Sequence, residues 1–372
     1  MYKSFKIRNF RCFKELDFDD FAQINLIAGV NNIGKTALLE AIFLHGGAYN
    51  PELTLKINAV RGIETVSLSR GTWIEHPLSS FFNQFDVSKS IELAGEDTLT
   101  GYRSIWLRAV GESIRPVEAS NQGAAWLMKE SDIEHVEDEP KGILSSSEVA
   151  KVLELEYKEA GEEGIYRMIM DGRSPRVRPL PPAPPFQSYF QSDRVPEQDR
   201  LSEQAGLYGN LEINMKQNQV LRILRVIEPR LKSIRTIAVA GGAMLHADIG
   251  VGRLIPLPLM GAGMLRLANL AVYIGNAPNG VVLVDEIENG LHYSVMSTVW
   301  KAVALAARES DTQIFATTHS WECIRAAHEA FTLDGKYDFR LHRLGWVDGK
   351  IGAVTYDQET LDAAIKAGLE VR

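Results

Sequence analysis

The chain has 372 residues, 45% hydrophobic and 24% charged, with 40 Lys and Arg against 48 Asp and Glu for a formal net charge of −8. That mix belongs to a globular protein with room for two or three packed lobes, and the acidic balance argues against one whose main task is coating nucleic acid. The opening MYKSFKIRNFRCF lacks an apolar signal region and no run reaches the roughly 18 apolar residues of a membrane span, so a cytoplasmic setting without a membrane partner is expected.

In chain order, residues 3–8 alternate like a strand, and 24–28 form the near-continuous apolar run of a strand buried on both faces. GVNNIGKT follows, and TALLEAIFLHGG then reads as a helix that stops at Gly46-Gly47. From about residue 50 to 185 the pattern changes to short alternating strands at 90–93, 103–110, 152–157 and 165–170. The polar stretch Gly161-Glu162-Glu163-Gly164 predicts the turn of a hairpin between the last two. An acidic stretch at 130–140 reads as a solvated loop or helix face, with a partner contact as the alternative. PLPPAPP at 179–185 reads as a rigid linker, with a proline-rich ligand as the alternative. Beyond it, helices are expected at 264–274, 293–307 and 321–330, and buried strands at 281–284 and 313–316. Two strands (339–346 and 351–355) and a helix follow. Strands alternating with helices imply a parallel sheet covered on both sides. Cys12 and Cys323 lie far apart and outside metal-ligand spacing, so neither a disulfide framework nor a zinc knuckle is expected.

Four short segments carry chemistry. Gly29-Val30-Asn31-Asn32-Ile33-Gly34-Lys35-Thr36 fits G-x-x-x-x-G-K-[ST], with Ala37 opening the helix behind it. Backbone N–H groups of such a loop wrap phosphate oxygens, the lysine reaches the β- and γ-phosphates, and the threonine hydroxyl binds magnesium. Val281-Val282-Leu283-Val284-Asp285-Glu286 ends a buried strand in two carboxylates. Asp285 is the candidate magnesium ligand and Glu286 the candidate general base, while Glu288 stands beside the pair and outside that two-acid role. His319, in TTHS after the next buried strand, is the candidate contact to the γ-phosphate or attacking water. Pro258-Leu259-Met260-Gly261-Ala262-Gly263-Met264 opens a helix with a small-residue turn, which serves either as a plain cap or as an anion site.

The order of these segments resembles the ABC-class ATPases of the RecF/SMC branch. It most closely resembles the OLD-like (overcoming lysogenisation defect) AAA/ABC ATPases of bacterial defence operons. The resemblance rests on KIRNFRCFKEL before INLIAGVNNIGKT, on DEIENGLHYSVMSTVWKAV with QIFATTHSWECI, and on the ending TYDQETLDAAIKAGLEVR. It implies an α/β P-loop NTPase head with a mixed or parallel central sheet, an antiparallel β subdomain and a helical insertion. The expected parts are 1–50 with the Gly-rich loop, an insertion over 51–233 with helices near 197–232, and 234–372 with the remaining motifs. The cofactors implied are ATP and Mg2+. Two chains would sandwich two ATPs, with Gly261 and Gly263 of one facing Lys35 of the other. Gly261 stands where serine is usual, Met264 where glutamine is, and His292 where transporter-like relatives carry aspartate. Gln84 is the candidate for a further glutamine that such ATPases place at the nucleotide. No Toprim nuclease domain is expected after His319, which makes the chain similar to PARIS-type systems with a stand-alone ATPase.

The function expected is a magnesium-dependent ATP hydrolase whose nucleotide-driven homodimer, or higher homo-oligomer, controls a separately encoded effector in anti-phage defence. One alternative is a RecF-type DNA-binding ATPase acting in repair, and another a slow-turnover scaffold switched by nucleotide. The basic residues Arg222, Arg225, Arg230, Lys232 and Arg235 read either as the polar side of an amphipathic helix or as a contact to DNA phosphates or an acidic partner. Arg194 is a further candidate phosphate contact.

Overall fold

The structure is a computed structural model that describes residues 1–47, 49–63, 76–113, 149–170, 175–192, 197–239 and 242–372. The acidic stretch at 130–140 and Arg194 lie outside the described residues. Elements are numbered in chain order. The central sheet runs β16 (Lys350–Tyr356), β15 (Phe339–Val347), β3 (Ile24–Ala28), β14 (Gln313–Thr317), β13 (Val281–Val284) and β9 (Ser188–Gln191). All neighbours from β15 to β9 are parallel, and β16 closes the edge as an antiparallel hairpin with β15.

The two-residue period of these strands divides the core in two. Ile24, Leu26, Ala28, Val282, Val284, Ile314 and Ala316 face one hydrophobic cluster, whereas Ile27, Val281, Leu283 and Phe315 face the other. The first cluster is closed by helices α3 (Glu197–Ile213), α4 (Gln217–Leu224), α5 (Ala262–Asn276), α6 (Tyr293–Glu309), α7 (Trp321–Asp334) and α8 (Gln358–Lys366). The second is closed by α1 (Lys35–Gly46) and a sheet of seven antiparallel strands. That sheet runs β2 (Phe13–Phe18), β1 (Tyr2–Phe10), β4 (Ile91–Asp97), β5 (Gly101–Ser113), β6 (Val149–Glu159), β7 (Glu162–Met170) and β8 (Arg176–Arg178). Helix α1 is buried along almost its whole length, as its apolar sequence on every side requires. A short helix α2 (Leu53–Val60) and a three-stranded sheet of β10 (Ser233–Val239), β11 (Gly242–Asp248) and β12 (Ile255–Pro256) complete the described elements.

Two sequence readings change in detail. The β6–β7 turn sits on Ala160 and Gly161, both with positive φ, so Glu162, Glu163 and Gly164 already belong to β7. Gly164 is there for packing: a Cβ would stand 2.6 Å from the Tyr157 ring. The basic run is engaged within the chain. Arg222 pairs with Glu309, Arg225 donates to the carbonyls of Leu231 and Lys232, and Arg230 pairs with Glu228, while Val220, Leu221, Ile223 and Leu224 face the core.

His342 on β15 is fully buried, bonded through Nδ1 to Thr355 Oγ1 at 2.9 Å and through Nε2 to Asn25 Oδ1 at 3.2 Å. Burial pushes its pKa from 6.5 down to about 3, so the folded chain keeps the ring neutral where the unfolded chain protonates it. Its contribution to stability is complete above the unfolded value and is lost as pH falls from about 6.5 toward 3, by about 2 kcal/mol between pH 7 and pH 5. His342→Gln should therefore lose less stability than the parent between those two pH values in urea titrations. Equal losses would refute the assignment.

Candidate functional site

The parallel sheet brings the C-terminal ends of β3, β14 and β13 to one edge, the position where open α/β sheets bind ligands. The loop after β3 turns sharply into α1. Gly34 has φ +108°, and a Cβ there would sit 2.5 Å from Cys12 Sγ and 2.7 Å from the Phe13 ring, so only glycine fits. Lys35 is 8% exposed, and its ammonium donates to the carbonyls of Gly29 at 2.7 Å and Val30 at 3.1 Å. Burial lowers its pKa, and the charges of Asp285, Glu286 and Glu288 push it back up.

Across the cleft, 249 positions along the chain, the Thr36 hydroxyl lies 3.1 Å from Asp285 Oδ1 and 3.0 Å from Oδ2. Thr317 at the end of β14 also donates to Asp285 Oδ1, at 2.7 Å, and its hydroxyl accepts the backbone N–H of Glu286 at 2.7 Å. Glu286 itself has φ +49°, a left-handed conformation costing of order 1–3 kcal/mol in a non-glycine residue. Arg266 on α5 fixes this turn, donating to the carbonyl of Asp285 and, at 2.7 Å, to that of Glu286. Asn289 Nδ2 donates to Glu286 Oε2 at 2.7 Å. His319 Nδ1 lies 3.8 Å from Glu286 Oε1 and 3.2 Å from Glu288 Oε1.

A cleft of about 560 Å³ is lined by Asn31, Asn32, Gly34, Lys35, Thr36 and Ala37 together with Asp285 and Glu286. Gly29 contributes the carbonyl held by Lys35, and the Ile33 side chain turns into the core. Gln84 and Phe85 line the same cleft, both with positive φ. His319 stands beside Glu286 on the loop after β14. Gly261 and Gly263 lie outside this cleft, at the start of α5. Gly261 faces open space, whereas a Cβ on Gly263 would meet the Gly290 carbonyl at 2.2 Å. His292 caps α6, accepting the N–H of Ser294.

Sequence reasoning missed part of the wall. Arg11, at a positive-φ turn between β1 and β2, and Arg61 both line the cleft and share the buried Glu40, at 3.1 and 2.5 Å. Arg11 sits in the KIRNFRCF opening, yet no local pattern joins it to Glu40 and Arg61. Asn289 and Arg266 were equally silent, because their partners are a side chain and two carbonyls set by the turn at Glu286.

The residues present suit a nucleoside triphosphate with a divalent cation. A lysine and helix N-terminus face the cleft, and a hydroxyl and carboxylate converge inside it. Among the described residues, no group of three or more His, Cys, Asp or Glu forms a separate metal cage, and no helix is long and apolar enough to cross a membrane.

Comparison with known proteins agrees with this geometry. Residues 1–154 match the family model described as an AAA ATPase domain, and residues 168–324 match the one described as "AAA domain, putative AbiEii toxin, Type IV TA system". A protein of Helicobacter pylori named "ATP/GTP phosphatase" is 23% identical over 345 residues, 87% of this chain and 86% of its own. An uncharacterized protein of Methanocaldococcus jannaschii is 32% identical over 100 residues, 26% of this chain and 43% of its own length. Among solved structures, an SmcHead bound to the C-winged helix domain of ScpA aligns with TM-score 0.49 and 14% identity, over 98% of this chain and 99% of that one. The Smc head domain bound to the C-terminal domain of ScpA from Pyrococcus furiosus gives 0.48 and 13%, over 98% of each. The domain matches and the cleft support one coarse class, a P-loop ATPase domain on a mixed α/β sheet.

Proposed function

We propose that the protein is a magnesium-dependent ATP hydrolase whose two copies sandwich nucleotide and so control a separately encoded nuclease or toxin in defence against phage. The observation that carries hydrolysis is the meeting of Thr36 and Asp285 in the cleft that also holds Lys35 and Glu286. Lys35 exchanges its two loop carbonyls for phosphate oxygens. Thr36 and Asp285 would hold the cation, which would supply positive charge to the phosphate oxygens when bound. Asn289 occupies Glu286 Oε2, leaving Oε1 to take the proton of the water that attacks the γ-phosphorus as ADP departs.

The sandwich is supported by where apolar side chains stay exposed. Val30 is on the Gly-rich loop, Phe85 on the cleft wall, Leu259 beside Gly261 and Tyr293 at the start of α6. Exposed large apolar groups on the Gly-rich loop, the cleft wall and the turns that open α5 and α6 fit surfaces that a second copy covers. Gly261, open to solvent, suits approach to the partner's phosphates by backbone N–H groups. Defence rather than repair is supported by the OLD-like and PARIS-like order of motifs and by the AbiEii description of the matched model. A RecF-like DNA role is disfavoured by the basic run, where Arg222, Arg225 and Arg230 already have partners within the chain.

Lys35→Ala should weaken ATP binding roughly 100-fold in calorimetry, the loss expected from charge-assisted bonds worth about 3 kcal/mol, and chelation of magnesium should abolish turnover. Failure of the parent to take up ATP would overturn the reading. Glu286→Gln should keep ATP affinity, stop hydrolysis and accumulate ATP-bound dimers on size exclusion. Hydrolysis at the parent rate would remove Glu286 as the base.

A further inference from the structure

We infer that Glu288 is the positioning residue of the hydrolytic site: it sets the tautomer and direction of His319. This rests on the reading of Glu286 and His319 given above. Glu288 lies on the turn after β13, two residues past the candidate base, with a side chain only 12% exposed. A single oxygen, Oε1, receives the Thr318 hydroxyl at 2.8 Å and the backbone N–H of His319 at 3.0 Å, and stands 3.2 Å from His319 Nδ1. Its other oxygen, Oε2, is buried with no hydrogen-bond partner among the described residues. A mostly buried carboxylate against one ring nitrogen favours the tautomer with the proton there. Nε2 is then left as an acceptor, able to take a hydrogen bond from the attacking water.

The geometry also gives Glu288 a reason to follow Glu286 so closely in sequence. The turn from Glu286, with φ +49°, throws the two carboxylates to different neighbours. Glu286 is held by Asn289 and remains 44% exposed, whereas Glu288 reaches across to the loop after β14. His319 sits between them, 3.8 Å from the first and 3.2 Å from the second. One carboxylate is thus turned toward the cleft while the other is held by Thr318 and the His319 backbone, beside the imidazole.

Steady-state ATPase kinetics and ¹⁵N-resolved imidazole spectra on the full chain test this, with Glu288→Ala and the gentler Glu288→Gln, which keeps an acceptor for Thr318 and His319 N–H. Glu288→Ala should lower kcat about 10–100-fold with ATP affinity unchanged, and shift the His319 signals away from the Nδ1–H pattern. Glu288→Gln should retain that pattern with a smaller loss. Adding Glu288→Gln, which keeps the acceptor for Thr318 and the backbone N–H, to His319→Ala should cost nothing further, because what that change alters acts through the ring. A parent-like kcat in Glu288→Ala, an unchanged tautomer, or a double variant showing the full product of both losses would overturn the assignment. If Glu286→Gln is inactive while Glu288→Ala is not, the hydrolytic reading stands and the positioning role alone fails.

Discussion

The contact between the Thr36 hydroxyl and the Asp285 carboxylate is the constraint on which the rest depends. It exists because β3, β14 and β13 run parallel and in register, so the loops that leave them emerge at one edge. Parallel strands need both faces covered, and here the alternating side chains supply two separate cores. Helix α1 fills the space between the central sheet and the seven-stranded sheet, which locks the start of that helix, and with it Lys35 and Thr36, against the strand ends. An antiparallel sheet made largely of residues far from the motifs is therefore part of what positions the Gly-rich loop.

Much of this was readable in the sequence because its signals were local. The apolar run at 281–284 coincides with its strand, and the strands and helices from residue 262 onward lie within a few residues of their sequence patterns, since continuous apolar runs and 3.6-residue periodicity leave few alternatives. Thr36 and Asp285 meet across 249 positions, and both are legible locally: Lys35 and Thr36 open the helix behind a Gly-rich loop, and Asp285 and Glu286 follow a buried strand. What escaped was set by tertiary approach. Gly164 looked like a turn residue, although its lack of a side chain makes room for Tyr157 from the neighbouring strand. Arg11 and Arg61 meet only through Glu40, a charged residue inside a helix whose sequence otherwise reads as apolar.

Charge placement separates the two ends of the cleft. Arg11 and Arg61 share one buried carboxylate, so that wall keeps an excess of positive charge beside the Gly-rich loop. Asp285, Glu286 and Glu288 crowd the opposite side, and burial pulls down the pKa of Lys35 between them while their charges raise it. Such a gradient suits a ligand that is anionic along its length and meets a cation at one end.

The turn that opens α5 is tied by direct contacts to the candidate catalytic carboxylates even though it lies outside their cleft. Gly263 rests against the Gly290 carbonyl with no room for a methyl group, Asn289 next to it holds Glu286, and Arg266 one turn further along α5 holds the carbonyls of Asp285 and Glu286. Close-packed contacts of this kind transmit displacement rather than absorb it. Gly261 itself faces open space, so a glycine there leaves approach to this turn unobstructed. Two hydrogen-bonding side chains and one glycine–glycine contact are all that separate this turn from Glu286, the candidate base.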